Sequence, residues 1–79
     1  MGRTRQTELL AVEFGARVRV RRTELGWTQE QLAERAGLHF TYVSSVERGE
    51  RNVTLLTIVR LANALDINPA RLIENLTLN

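Results

Sequence analysis

Residues 28–49 have the sequence TQEQLAERAGLHFTYVSSVERG, a pattern that predicts two short helices joined by a tight turn. Thr28 offers a hydroxyl that can cap the first helix, and Gln31 three residues later completes a capping-box pattern. Gly37 can take the positive φ at which a helix ends. Between these signals, apolar residues recur at helical spacing and give the helix one apolar face: Leu32, Ala33 and Ala36.

The second helix of this stretch is predicted to begin near Phe40 and to end before Gly49. Val43 and Val46 are expected to form its inward face, which Tyr42 could join. The remaining residues are expected to point away from the core: Phe40, Thr41, Ser44, Ser45 and Arg48. Two apolar-faced helices around a turn of three to four residues have helix-turn-helix geometry, whose second helix can enter a DNA major groove.

Spacing alone fits two core helices of a small bundle equally well. The runs TQEQLAERAGL and YVSSVERGERN favour the helix-turn-helix, because they resemble the single-domain Xre/Cro-type repressor family. The resemblance extends roughly over Phe14–Leu72. Within that family, the run Gly37–Leu65 is most similar to the controller proteins of restriction–modification systems.

This resemblance implies an all-α fold, namely a five-helix lambda-repressor-like DNA-binding domain whose helix-turn-helix covers about residues 28–48. It also implies an ion pair between Arg22 and Glu47 that would fix the third helix against the first. The helical wheel alone cannot select this pair, because Arg21 and Arg22 flank the same apolar stripe of the first helix.

The rest of the chain predicts three further helices. The first should cover about Thr7–Leu25, with an apolar stripe of Leu10, Phe14, Val18 and Leu25. Trp27 follows and is expected to be buried at the joint, with base stacking as the alternative. Thr54 is the expected N-cap of the fourth helix, whose broad apolar face would be Leu55, Ile58, Val59, Leu61, Ala62 and Leu65. Pro69 suits the first position of a fifth helix that should cover about Pro69–Leu76.

Length and composition predict one small domain covering residues 1–79. Cysteine is absent and there is a single His, so we expect neither disulfides nor a metal site, and no cofactor. No apolar run approaches the ~20 residues that a membrane span needs, and no signal-peptide pattern opens the chain. We therefore expect a cytoplasmic protein that has no membrane partner, and the resemblance implies a bacterial or phage origin.

The net charge is only +2, but its distribution is uneven. Residues 1–22 hold six Arg against two Glu, whereas the remainder holds five Arg against seven acidic residues. The basic N-terminal tail, residues 1–6 (MGRTRQ), is interpreted as a frayed terminus, with a minor-groove arm as the alternative. All eleven basic residues are Arg, which suits forked phosphate and guanine contacts but also fits a genome that favours Arg codons.

Residues at the start of a recognition helix reach base edges, and flanking residues contact the DNA backbone. The predicted base contacts are Phe40, Thr41, Tyr42 and Ser45. The predicted phosphate contacts are Gln29, His39, Arg48, Arg51 and Asn52. Controller proteins usually have Arg where this chain has Phe40, a departure that removes a forked guanine contact. The family's operator sequence is therefore not carried over, and Phe40 could instead face a protein partner.

These observations favour a homodimeric, sequence-specific transcription regulator that binds a palindromic operator and needs no small-molecule effector. The controller of a restriction–modification operon is the preferred form of this hypothesis. The alternative is an antitoxin-like or adaptor protein that uses the same fold for protein–protein interaction. An enzyme is not expected, because the sequence contains no nucleophile–base pair, metal cluster or glycine-rich phosphate loop.

The dimer interface is predicted in the fifth helix, because so short a chain leaves little to cover its apolar side. The residues concerned are Leu72, Ile73 and Leu76. The alternative is that they close the core of the monomer.

Overall fold

The computed structural model describes residues 4–78 and has, within that range, five helices and no strand. It confirms the predicted all-α, five-helix architecture. The helices are α1 (Arg5–Glu24), α2 (Gln29–Ala36), α3 (Phe40–Glu47), α4 (Leu55–Ala64) and α5 (Ala70–Ile73). No helix in the described part of the chain is long and apolar enough to cross a membrane.

The first helix begins earlier than the apolar pattern predicted. Thr4 is its N-cap, and the Thr4 hydroxyl accepts a hydrogen bond from the backbone N–H of Thr7. Arg5 and Gln6 therefore form its first turn instead of a non-helical tail. Residues 1–3 of the predicted basic tail lie outside the described residues.

The helix-turn-helix is formed by α2 and α3, as predicted. Both halves of the capping box are present, because Thr28 accepts from the Gln31 backbone N–H and donates its own backbone N–H to the Gln31 side chain at 2.8 Å. Gly37 ends α2 at a φ of 68°, a conformation that favours glycine. These local signals are sufficient to place the turn between the two helices.

The core lies between α1, α2, α3 and α4. Its fully buried members on α1, α2 and α3 match the predicted apolar faces: Phe14, Val18, Leu32, Ala33, Ala36, Val43 and Val46. On α4 the prediction was too broad. Leu61, Ala62 and Leu65 are buried, but Leu55 is 76% exposed and Val59 is 45% exposed. Helix α4 packs against α2, and Leu55 and Val59 lie on its solvent-exposed side.

The fifth helix is a single short turn, so the predicted range Pro69–Leu76 was too long. Pro69 is its N-cap. Glu74 leaves the helical conformation, and Asn75 has a positive φ of 64°, which turns the chain away. Leu72 is 1% exposed and belongs to the core cluster, so its assignment to a dimer interface was wrong. Ile73 is exposed and Leu76 is half-buried.

Candidate nucleic-acid interface

Helix α3, the predicted recognition helix, has one face in the core and one at the surface. Val43 and Val46 are fully buried, whereas Phe40 and Thr41, in its first turn, are exposed. His39 is exposed at the N-cap position and its side chain makes no capping hydrogen bond. Tyr42 is half-buried. The start of α3 therefore presents side chains with the exposure that base contact requires.

Ser45 does not lie on the outer face of α3, and that part of the prediction was wrong. It is 4% exposed, and its hydroxyl donates to the Tyr42 carbonyl oxygen at 2.7 Å. The hydroxyl oxygen of Ser45 in turn accepts a hydrogen bond from Nε of Arg51 at 3.0 Å. A serine hydroxyl can hydrogen-bond to the preceding turn of its own helix, which allows it to face inward without an unsatisfied polar atom.

The ion pair between Arg22 and Glu47 is present and joins α1 to the last residue of α3. Nε of Arg22 donates to Oε2 of Glu47 at 2.6 Å, and Nη2 donates to Oε1 at 2.9 Å. The Arg22 side chain is 12% exposed and that of Glu47 is 2% exposed. The hydrogen bond to Glu47 raises the pKa of Arg22 above its ordinary value, against the opposing effect of burial.

Two further bonds extend this pair into a network across the joint between α1 and α2. Nη1 of Arg22 donates to the Trp27 carbonyl oxygen at 2.6 Å. The side-chain amide of Gln29, the first residue of α2, donates to Oε1 of Glu47 at 3.0 Å. Glu47 therefore connects α3 to both α1 and α2. Sequence spacing did not indicate the contact between Gln29 and Glu47, because the two residues are far apart along the chain and lie on different helices.

The Gln29 amide was predicted to lie near a phosphate, and the structure places its nitrogen against Glu47 instead. The prediction assumed that the amide was free to face outward. Gln29 still lies at the N-terminus of α2, where backbone N–H groups have no intrahelical acceptor and favour anions.

The arginines that follow α3 differ in how they are held. Arg48 forms a two-pronged ion pair with Glu50, at 3.0 and 3.1 Å, and donates to the Ser44 hydroxyl. This pair raises the pKa of Arg48, although both side chains are solvent-exposed. Exposed ion pairs are weak and exchange readily. Arg51 instead bonds the Ser45 hydroxyl, and Asn52 next to it is exposed.

Trp27 is half-buried at the joint between α1 and α2, as predicted, and packs against the core. The Arg35 guanidinium lies 4.3 Å from the centre of its ring, a cation–π contact that the sequence did not reveal. An arginine at this distance covers the exposed ring face, so stacking on a base would first require Arg35 to move.

The chain is similar in sequence to a known protein family and to known control proteins. A helix-turn-helix family model matches residues 18–72, which include α2, α3 and α4. The control protein C.BamHI of Bacillus amyloliquefaciens is 38% identical over 73 residues, a match that covers 91% of this chain and 90% of C.BamHI. The control protein C.SmaI of Serratia marcescens is 59% identical over 46 residues, covering 58% of this chain and 55% of C.SmaI.

A solved structure shows the same similarity in three dimensions. The restriction–modification controller protein C.AhdI from Aeromonas hydrophila matches with a TM-score of 0.77 and 53% sequence identity. The match covers 78% of this chain and 94% of that protein.

Proposed function

Because the chain belongs to the helix-turn-helix family of restriction–modification controller proteins, we propose that it regulates transcription by binding a specific operator in double-stranded DNA. The observation that carries this proposal is the division of α3 into two faces. Its inner side is fixed by core residues and by the Glu47 network, while Phe40 and Thr41 are exposed in its first turn. The protein would act in the bacterial cytoplasm, where such an operator is found.

The side chains proposed to read bases are Phe40, Thr41 and Tyr42. Thr41 can exchange hydrogen bonds with several bases, whereas Phe40 can contact only apolar groups such as a thymine methyl. The proposed phosphate contacts are His39, Arg48, Arg51 and Asn52, together with the N-terminus of α2 at Gln29. Ser45 is left out of the base-reading set because it is buried.

The experiment that tests the function is selection of bound sequences from random duplexes with purified protein. A regulator of this kind should enrich one sequence with two-fold symmetry. Enrichment of no sequence, with DNA binding equal on all duplexes, would contradict the proposal.

Thr41→Ala should relax sequence preference at the position that Thr41 reads and leave the fold intact. The side chain is exposed, so its removal leaves no cavity, and loss of one base contact should cost on the order of 1 kcal/mol. Affinities for the selected sequence and for its single-base variants would measure the change. Thr23→Ala, at an exposed threonine in the last turn of α1, is the matched control and should leave discrimination unchanged. Equal discrimination by the Thr41 variant and wild type would remove Thr41 from the base-reading set.

We also propose that the protein is a homodimer, and that the interface is an apolar patch of α4 and the C-terminal segment. Ile58, Ile73 and Leu76 line a shallow groove of about 270 Å³. At ~100° per residue, Leu55 and Val59 lie beside Ile58 on the surface of α4. Together these residues form the apolar patch: Leu55, Ile58, Val59, Ile73 and Leu76. Two copies related by a two-fold axis would bury it and present two recognition helices to one palindromic site.

Val59→Glu should give a folded monomer that binds the operator at least about tenfold more weakly, because a charge in a two-fold interface meets its own copy and bivalency is lost. Sedimentation would measure the mass, and circular dichroism the helicity. Val20→Glu is the matched control, since Val20 is also an exposed valine, on α1 and outside the patch. A Val59 variant that remains dimeric would place the interface elsewhere.

Because Phe40 is exposed, we also propose a second candidate function. In it, the chain is an antitoxin-like or adaptor protein that uses α3 to contact another protein. An aromatic ring at the start of a recognition helix cannot donate a hydrogen bond to a base edge. Phe40→Ala separates the two functions. A DNA reader should lose preference for thymine at one operator position, whereas an adaptor should lose its protein partner and keep its DNA affinity.

A further inference from the structure

We infer that Ser45 is a positioning residue that acts on DNA through Arg51, orienting the Arg51 guanidinium toward a phosphate. The inference rests on the proposed DNA-binding function and deepens it, because it assigns a role to a buried side chain that cannot reach DNA itself. The structural basis is the chain of hydrogen bonds from the Tyr42 carbonyl oxygen through the Ser45 hydroxyl to Nε of Arg51.

The direction of each hydrogen bond in this chain follows from chemistry. A guanidinium has donors and no acceptor, so Arg51 must donate to Ser45. The hydroxyl proton of Ser45 is then free to point at the Tyr42 carbonyl oxygen, 2.7 Å away, which can only accept. The oxygen of Ser45 therefore presents a lone pair to Arg51 in one fixed direction. At 4% exposure, water does not compete for that lone pair.

Arg51 is fixed at one end and available at the other. Nε is bonded to Ser45, and the guanidinium carbon lies 5.6 Å from the centre of the Tyr42 ring. Within residues 4–78, Nη1 and Nη2 of Arg51 form no hydrogen bond, and no carboxylate pairs with Arg51. Two donors of the fork therefore remain for a ligand, and the residue as a whole is exposed.

Arg48 and Arg51 differ in the charge of the group that holds each guanidinium. Arg48 is held by Glu50, so its positive charge is partly compensated by an adjacent carboxylate, and a phosphate must displace that carboxylate. The Ser45 hydroxyl orients Arg51 without opposing its charge. A pre-oriented and uncompensated guanidinium suits a phosphate oxygen, because less side-chain freedom is lost when it binds.

The position of this arginine also agrees with a backbone contact. Arg51 lies in the segment between α3 and α4, just after the recognition helix, and is held against Tyr42 in the first turn of that helix. Residues that flank a recognition helix contact the sugar–phosphate backbone and fix the register of the helix in the groove. Ser45 would thereby contribute to affinity without contacting DNA.

A double-mutant cycle tests the inference, with Ser45→Ala, Arg51→Ala and the double variant measured on duplex DNA over a range of salt concentrations. Arg51→Ala should weaken binding about tenfold and reduce the salt slope by about one, because one phosphate contact is lost. Ser45→Ala should weaken binding about threefold in the wild-type background and have no effect once Arg51 is absent. Effects that multiply in the double variant would overturn the inference, because Ser45 would then act independently of Arg51.

Two further variants separate positioning from a structural role. Arg51→Lys keeps the charge but cannot donate from an Nε at this place, so it too should make binding insensitive to Ser45→Ala. Ser44→Ala is the matched control on the same helix, because the Ser44 hydroxyl is bonded to Arg48. The fold-changes in DNA affinity caused by Ser44→Ala and by Arg51→Ala should multiply in the double variant. If the coupling between Ser44 and Arg51 equalled that between Ser45 and Arg51, a specific role for Ser45 would be contradicted. Melting curves establish that each variant is folded at the temperature of the assay.

The same cycle on a random-sequence duplex distinguishes this inference from the proposed function. Phosphate contacts do not depend on sequence, so coupling between Ser45 and Arg51 should persist there. Coupling together with equal binding to all sequences would support the positioning role and overturn sequence-specific regulation. Sequence preference without coupling would support sequence-specific regulation and overturn the positioning role. Absence of any DNA binding would overturn both.

Discussion

Replacing Glu47 with alanine is expected to lower the free energy of unfolding by about 3–5 kcal/mol, because it leaves Arg22 as a largely buried charge without its partner. The pair belongs to the class in which removal of one member is costly, since the Glu47 side chain is almost fully buried. The Gln29 amide nitrogen would lose its acceptor in the same variant. Arg22→Ala should have a similar cost, because it leaves a buried carboxylate.

Chemical denaturation would measure both variants against a matched ion pair on the same helix. Arg17 and Glu13 form an exposed pair within α1, and Glu13→Ala should cost less than about 1 kcal/mol. Replacing both Arg22 and Glu47 with apolar residues should cost less than either single change, because no isolated charge remains. Single variants as stable as wild type would show that water reaches this pair in solution.

The Glu47 network also explains how stability and recognition are connected. Glu47 is the last residue of α3, and its partners lie on α1 and at the start of α2. A variant that loosens the network should therefore change the orientation of α3 relative to α2 before the whole chain unfolds. At a temperature where the variant is folded, its DNA affinity should be clearly lower than that of wild type, while its helicity stays close to the wild-type value.

The local elements could be predicted from the sequence because their signals are local. The capping box at Thr28 and the left-handed Gly37 each depend on residues within one helix or turn. Thr4 shows the limit of that method. It caps an α1 that begins at Arg5, two residues before the predicted start at Thr7, and an apolar pattern does not detect a cap in a polar segment.

The errors in the predicted site have a common physical origin. Side-chain hydrogen bonds between elements turned Ser45 and the Gln29 amide inward, although both are polar residues that spacing assigns to a surface. Leu72 is the reverse case. Its place in the core depends on how a single turn of helix docks against α1, which periodicity over four residues cannot reveal.

The exposed side of α4 is a different kind of error. Six apolar residues at helical spacing predicted one broad buried face, but two of them, Leu55 and Val59, are at the surface. Periodicity reports that a face is apolar and does not report which chain covers it. Leu55 and Val59 are explained if a second copy supplies the cover, which is the reason for placing the proposed dimer interface there.

Gly15→Ala is expected to destabilise the protein by about 2 kcal/mol and to displace the recognition helix, even though alanine is the better helix former. Gly15 is buried in the middle of α1, where α1 packs against the end of α3. A Cβ at this position would lie 2.1 Å from the Val46 carbonyl oxygen and 3.0 Å from that of Glu47. Both are backbone atoms, so no side-chain rotation can relieve the overlap.

Two opposing effects decide the sign of this prediction. Alanine in place of glycine favours a helix by about 1 kcal/mol. Overpacking of a close contact costs typically about 1–3 kcal/mol and occasionally more. Because the overlap exceeds 1 Å and involves a rigid backbone on both sides, we expect a cost of about 3 kcal/mol and hence a net loss of about 2. Unfolding in denaturant measures the net value, and amide chemical shifts along α3 report the displacement.

Ala16→Gly, at the exposed neighbouring position of the same helix, calibrates the propensity term and should cost about 1 kcal/mol without moving α3. The Gly15 and Ala16 variants are then both destabilised, for opposite reasons, and only the first should lose DNA affinity in the folded state. A Gly15→Ala variant that is more stable than wild type would show that α1 and α3 separate easily at this point. In that case the close approach of the two helices would not be what holds the recognition helix in place.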